Sequence, residues 1–355
     1  MPKVAIIGTT TWGITLGMVL TSNRLDGSKT GVRLWARTEE EANRLKNKGP
    51  DIHLLPGVVF PPELLVTSSL REALAGVGAI ILAVPSQTMR QNVILVKDYL
   101  KGSVLIVSVA KGLEIGSNKR MSEVIAEEIA PRFRSQICVL SGPNLFKEII
   151  RGMPASAVVA ADDVAIAERA QKLLTTPHFC VYTNTDVIGV ELGGALKNVI
   201  ALGAGMVDGM DYGDNAKAAF ITRGLTEMAA LGVALGASPL TLSGLAGLGD
   251  LIATCASSLS RNHYVGVELS KGYSLEEITN SMEGVAEGVS TTVAVWNLAQ
   301  QLGLEMPITE KIYQVLYNGV EPHQAIVQLL GTEGKHELAG RKWRLSSFFR
   351  SRKRS

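Results

Sequence analysis

Apolar and polar positions alternate on two different length scales along this chain. Up to about residue 187, short runs rich in β-branched and aliphatic residues recur: "KVAIIG", "GVRLWA", "AIILAV", "VLIVSV" and "QICVLS". Between several of them lie longer stretches with helical spacing, such as "EEEANRLKNKG" and "KRMSEVIAEEIA". Strands apolar on both faces, alternating with helices, predict a parallel sheet covered on each side. The later runs "SAVVAA" and "HFCVYTN" flank the helical "DVAIAERAQKLLTT" and predict a further βαβ unit. From about Asp186 the strand runs cease. Helical periodicity takes over in "VELGGALKNVIALGAGMV", "KAAFITRGLTEMAALGVALG", "TTVAVWNLAQQLG", "ITEKIYQVLYNG" and "HQAIVQLLG". The pattern predicts an α/β fold: a Rossmann-type doubly wound domain over 1–187, an all-helical domain over 188–339, and a tail over 340–355.

Composition adds two points. With 46% hydrophobic residues the chain can bury large cores. Its net charge of +2 is unevenly placed. "RKWRLSSFFRSRKRS", residues 341–355, holds seven basic residues and no acid, leaving 28 basic against 33 acidic residues, a net −5, elsewhere. That tail, with Trp343, Leu345, Phe348 and Phe349 among its cations, suits weak contact with an anionic membrane surface. No nucleic-acid partner is expected. Cys138, Cys180 and Cys255 fit neither a metal spacing nor a disulfide framework, and the first strand leaves no room for a signal peptide. No apolar run reaches the roughly 18 residues of a membrane span. A cytoplasmic protein is expected. The five histidines share no pattern, and no metal site is assigned.

Ligands bind open parallel sheets at the carboxyl ends of the strands. The first strand runs into "GTTTWG", Gly8 to Gly13, before the helical "WGITLGMVLTSN". This is a dinucleotide-binding turn, G-x-G-x-x-G, with Thr10 at the middle glycine. A branched side chain there should crowd a pyrophosphate, so Thr10→Gly is expected to tighten cofactor binding. After the later strands come Arg37, Pro85 and Ser86, Lys111, and then Gly142 to Asn144. Arg37 has two readings: a partner for a 2′-phosphate, or a solvated arginine beside Glu39, Glu40 and Glu41. Lys197 stands in a helix otherwise apolar and glycine-rich, where an unpaired lysine is rare. Gly193 and Gly194 beside it would admit another backbone or a ligand. Asp250 and Thr254 are four apart, on one face if helical. Ser260, Arg261 and Asn262 mark a loop or helix start, and arginine beside asparagine suits a phosphate.

Taken in order, "GTTTWG", "LWAR", "LPGV", "LAVPSQ", "KGLE", "SGPN", "ELGGALKNVIALGAGM", "GLAGLGDLIATC", "SRN", "EGVAEGVSTT" and "MPITEKIYQVLYNG" resemble the bacterial NAD(P)-dependent sn-glycerol-3-phosphate dehydrogenases, from about residue 3 to 338. The resemblance implies hydride transfer between NADH or NADPH and a small phosphorylated substrate, interconverting dihydroxyacetone phosphate and sn-glycerol 3-phosphate for glycerophospholipid synthesis. It implies Lys197 as the catalytic lysine. Lys111, Gly142, Asn144, Lys197, Asp250, Thr254, Ser260, Arg261 and Asn262 match the substrate side. Gly8, Thr10, Thr11, Trp12, Gly13, Arg37, Lys111, Phe146, Arg261, Val285 and Glu287 match the cofactor side. The family's "SGPSFA" is "SGPNLF" here, so Asn144 and Phe146, like Thr10, depart from it. The basic tail lies outside the resemblance. A homodimer is the expected assembly. Two alternatives stay open. A β-hydroxyacid dehydrogenase or ketopantoate reductase would share the domains and a helix-borne lysine but need no "SRN" group. A non-catalytic nucleotide-binding protein would have no use for Lys197, Lys111, Asp250 and Arg261 together.

Overall fold

The computed structural model describes residues 3–22, 27, 29–49, 59–282 and 284–331. The basic tail, the "LPGV" stretch and residues 23–26 and 28 of the turn-rich segment before the second strand lie outside them. Eight strands form one sheet: β1 Lys3–Ile7, β2 Gly31–Trp35, β3 Leu64–Thr67, β4 Ala79–Leu82, β5 Leu105–Ser108, β6 Ile137–Ser141, β7 Ala155–Ala160 and β8 Phe179–Asn184. Their order is β3-β2-β1-β4-β5-β6-β7-β8, the doubly wound arrangement extended by two strands. Alternate residues serve opposite faces. Val4, Ile6, Leu34, Ile81 and Val107 join one core, while Ala5, Ile7, Ile80, Leu82 and Ile106 join the other. This explains why these strands read as unbroken apolar runs.

Two features depart from the expected sheet. β3 had no counterpart in the apolar pattern: it is a four-residue edge strand with Leu65 exposed, and it follows two prolines, Pro61 and Pro62. β7 pairs with β6 antiparallel, Leu140 opposite Val159, whereas all other pairs are parallel. The connection from β6 to β7 holds only the one-turn helix Phe146–Ile149, so it reverses the chain instead of carrying it back along the sheet.

β8 ends at Asn184 and the helix Val187–Gly209 begins three residues later. Asp186 caps it, accepting from Gly189 N at 2.8 Å. This helix is apolar on every side, and such a helix must be buried. By length and hydropathy it could cross a membrane, as could the broken helical stretch Pro239–Ala256, yet 94% of its most apolar window lies inside the protein. The helices Gly213–Ala234, Asp250–Ala256, Arg261–Ser270 and Glu287–Leu302 wrap it, and their apolar residues form a third core. Lys197 and Asn198 of this central helix are therefore placed with little freedom, Asn198 bonded to the Lys111 carbonyl in the loop that leaves the end of β5.

Candidate active site

The glycine turn sits directly on the end of β1. Gly8 has φ +106°, and a Cβ there would lie 2.6 Å from the carbonyl oxygen of Ala83. Only glycine fits both the conformation and the space. Thr10 takes a different place from the one its sequence position suggests. It is the N-cap of the helix Thr11–Thr21: its hydroxyl accepts from Gly13 N at 3.1 Å and donates to Ala83 O at 2.8 Å. The hydroxyl is turned back into the turn and tied to the end of β4, while Thr10 still lines the cleft. Thr11 and Trp12 follow at the helix start and line the cleft. The Thr11 hydroxyl is buried with no hydrogen-bond partner among the described residues. A helix N-terminus with a spare buried hydroxyl and a glycine cradle suits a dinucleotide's phosphates, so these residues fit the implied cofactor.

Arg37 leaves the end of β2 and is exposed. Its guanidinium donates to Asn92 Oδ1 at 3.3 Å. Glu41 is occupied elsewhere, accepting from the Thr9 hydroxyl at 2.5 Å and from Arg37 N at 3.2 Å. The guanidinium is thus not paired with the neighbouring glutamates.

Across the cleft, side chains from three distant segments meet. Lys197 is 7% exposed; its ammonium donates to the Thr254 hydroxyl at 2.5 Å and lies 3.0 Å from Asp250 Oδ1. Lys111, from the end of β5, reaches Asp250 Oδ2 at 2.5 Å and donates to Gly142 O at 2.7 Å. Asp250, 1% exposed, therefore bridges two lysines. It opens the helix Asp250–Ala256, and Thr254 stands one turn on, its hydroxyl 2.7 Å from Asp250 O. Burial pulls Lys111 down to about 8; the charge of Lys197 adds to this, while Asp250 opposes both. Gly193 admits a backbone: a Cβ there would lie 2.5 Å from Ala246 O, in the turn that leads to Asp250.

A chain of amides joins this cluster to the next. Asn198 donates to Lys111 O at 3.0 Å, Asn262 donates to Asn198 Oδ1 at 2.8 Å, and Gly288 N donates to Asn262 Oδ1 at 2.9 Å. Sequence reasoning missed Asn198. Its signal was the same as that of Lys197, a polar residue amid apolar neighbours in "GALKN". Ser260 caps the helix Arg261–Ser270, accepting from His263 N at 3.2 Å. Arg261 lines the cleft. Among the described residues its guanidinium has no hydrogen-bond partner, although burial lowers its pKa against the opposing pull of Glu287. A half-buried guanidinium with no hydrogen-bond partner among the described residues, beside a helix N-terminus, suits an anion. Glu287 accepts from Ser86 N at 3.0 Å and from the Ser86 hydroxyl. Burial raises its pKa, while the Ser86 hydrogen bonds and Arg261 hold it down.

The cleft that these groups line also takes in Thr10, Asn144, Phe146, Asn198 and Val285. Asn144 donates to Ser156 O at 3.2 Å, and its Oδ1 is buried without a partner. Gly8, Gly13, Arg37, Gly142 and Asp250 do not line the cleft; they stand behind or beside it and hold what does.

Comparison with known proteins agrees with this geometry. Residues 3–167 match the N-terminal part of the NAD-dependent glycerol-3-phosphate dehydrogenase family, and residues 186–327 its C-terminal part. The glycerol-3-phosphate dehydrogenase [NAD(P)+] of Dehalococcoides mccartyi is 58% identical over 99% of this chain and 97% of its own. That alignment spans 354 residues, so it takes in the basic tail that the sequence reading placed outside the resemblance. The crystal structure of glycerol-3-phosphate dehydrogenase from Coxiella burnetii is 34% identical, covers 93% of this chain and 99% of its own, and superposes with a TM-score of 0.86. A probable 2-dehydropantoate 2-reductase from Bacillus subtilis, 14% identical over 89% of this chain and 99% of its own, superposes with a TM-score of 0.55, a likeness of fold alone. The chain belongs to the NAD-dependent glycerol-3-phosphate dehydrogenase family, oxidoreductases that work with NADH or NADPH.

Proposed function

We propose that this protein reduces dihydroxyacetone phosphate to sn-glycerol 3-phosphate, supplying the backbone of glycerophospholipids. The observation that carries the proposal is the meeting of Lys197 and Lys111, bridged from behind by Asp250, with an Arg261 that has no hydrogen-bond partner among the described residues, in one cleft. Bound NADH or NADPH supplies the hydride for the substrate's C2. Thr11, Trp12, Phe146, Val285 and Glu287 would hold that cofactor, over the turn built by Gly8, Thr10 and Gly13. Arg37, its guanidinium bonded to Asn92 and away from the glutamates, would take a 2′-phosphate.

The remaining work falls to side chains. As the ketone is reduced, negative charge develops on its oxygen. Lys197 Nζ meets that charge and then donates its proton. Asp250 and Thr254 fix the ammonium, which otherwise sits on a flexible stem. Lys111 adds a second cation on the far side of the same carboxylate. Arg261, with Asn262 and the helix N-terminus capped by Ser260, takes the phosphate dianion. Gly142 supplies the carbonyl that holds Lys111, and Asn144 offers an amide where the family has a hydroxyl. The protein acts in the cytoplasm as a homodimer, with weak membrane contact through its basic tail.

Oxidation of NADH and NADPH, measured with dihydroxyacetone phosphate, with unphosphorylated dihydroxyacetone and with ketopantoate, tests the proposal. Turnover should favour the phosphorylated ketone strongly. Turnover of ketopantoate alone would replace this reading with that of a ketopantoate reductase.

A further inference from the structure

Both walls of the cleft lead back to two adjacent residues that do not line it. After β4 the chain passes Ala83, Val84 and Pro85 along the cleft and enters a short turn at Ser86. Ser86 is 1% exposed. Its N–H lies 3.0 Å from Glu287 Oε1, and its hydroxyl donates to Oε2, so one residue engages both oxygens of that carboxylate. Gln87 reaches the opposite way. Its Nε2 donates to Leu113 O at 2.7 Å, and its Oε1 accepts from Ile115 N at 3.0 Å. It meets the 113–115 backbone as a neighbouring strand would, on the loop that continues from Lys111. The two arms touch, with Gln87 Nε2 3.2 Å from Ser86 Oγ. Gly112 passes between them: a Cβ there would lie 2.5 Å from Ser86 Oγ and 3.1 Å from Glu287 Oε2. Arg90 ties down the outer end of the loop, its Nε and Nη2 donating to Glu114 at 2.9 and 2.7 Å.

The physical need is plain on each side. A buried carboxylate with free lone pairs would take up a proton or turn to the nearest cation, here Arg261. Two donors from Ser86 favour its ionised form against the pull of burial and fix its aim. A lysine on a loop loses its bond to Asp250 when the loop shifts by a fraction of an ångström. The Gln87 amide removes that freedom by satisfying two backbone groups of the loop.

We propose that Ser86 and Gln87 are positioning residues for the reaction: Ser86 aims Glu287 at the cofactor side of the cleft, and Gln87 sets the loop that presents Lys111 to Asp250. The inference rests on the roles proposed above for Glu287 and Lys111. It makes one dipeptide the shared support of cofactor and substrate, with separable effects through its two side chains.

The test uses the full-length protein and four variants, with the Kd of NADH and NADPH measured by titration and KM and kcat measured with dihydroxyacetone phosphate. Loss of hydrogen bonds to a charged group or its support should cost about tenfold. Ser86→Ala should raise the cofactor Kd by about that factor and move the KM for dihydroxyacetone phosphate by less than about threefold. Gln87→Met, which keeps the volume and removes both hydrogen bonds, should raise that KM or lower kcat by about tenfold, with cofactor Kd within about twofold. Thermal midpoints should fall similarly in both, so a merely structural role would not reproduce the split. Glu287→Gln and Lys111→Met serve as references. If they fail to move the cofactor Kd and the substrate KM respectively, the roles of Glu287 and Lys111 are wrong and the brace falls with them. If the references behave as assigned but Ser86→Ala and Gln87→Met move both constants together, or neither, the brace alone is overturned.

Discussion

The two walls of the cleft are built from different materials. The wall along β1 and β4 is mostly backbone: the start of the Thr11–Thr21 helix and the carbonyl of Ala83 bonded by Thr10, with Gly8 behind them in a conformation only glycine adopts readily. The opposite wall is side chain, with Lys111, Lys197, Thr254 and Arg261 drawn from segments far apart in the chain and Asp250 holding both lysines from behind. A backbone wall should tolerate changes of side chain, because the fold itself presents the binding groups. A side-chain wall should not, because the groups depend on one another: Asp250 engages both lysines and the Thr254 hydroxyl at once.

The contrast predicts a graded series of effects. Replacing Lys197 by Met should lower kcat by the roughly 10²–10⁴-fold of a lost acid–base group, with the Kd for NADH within about threefold of the parent. Single-turnover kinetics and cofactor titration on the same preparation check this; equal losses in both would erase the difference between the walls. Arg261→Ala should follow. Removing one partner of a buried charge pair costs about 2–5 kcal/mol, so kcat/KM for dihydroxyacetone phosphate should fall by about 30-fold or more. The value for unphosphorylated dihydroxyacetone should fall far less, and steady-state assays with the two substrates give that comparison.

A smaller effect concerns pH. Lys111 titrates at about 8 in the folded protein, below the usual lysine range. It is therefore cationic below that pH and neutral above it. The KM for dihydroxyacetone phosphate should rise by about tenfold as pH passes upward through this value, the worth of a charge-assisted hydrogen bond. In Lys111→Met the KM should be high throughout, with that limb gone. The smallest effect belongs to the backbone wall. Thr10→Ala removes a helix cap and should lower stability by about 1 kcal/mol, read as a lower denaturation midpoint. Neither it nor Thr10→Gly should tighten cofactor binding. Tighter binding by the glycine variant would restore the crowding that the sequence suggested.

The same contrast explains what could be read before the structure. Strands buried on both faces announce themselves as apolar runs, so most of the sheet was legible, while β3, short and half-exposed behind two prolines, was not. Strand direction leaves no mark in composition, so the reversal at β7 needed coordinates. Gly8 and Gly13 are legible because backbone sites require particular glycines. Lys197 stood out only as a polar residue in an apolar helix. Its pairing through Asp250 with Lys111 joins segments whose spacing carries no signal. The rotation of the Thr10 hydroxyl toward Ala83, and of the Ser86 hydroxyl toward Glu287, depends on torsions that residue identity does not set.

The central claim is that Lys197 Nζ delivers the proton while the backbone wall only holds the cofactor. Chemical rescue tests it most directly: turnover of Lys197→Ala measured with increasing methylammonium, beside Lys111→Ala treated identically. The account predicts that the amine restores turnover to Lys197→Ala in a concentration-dependent way, leaves Lys111→Ala unrescued, and changes cofactor Kd in neither. Turnover near the parent rate in Lys197→Ala without amine, or rescue confined to Lys111→Ala, would contradict it.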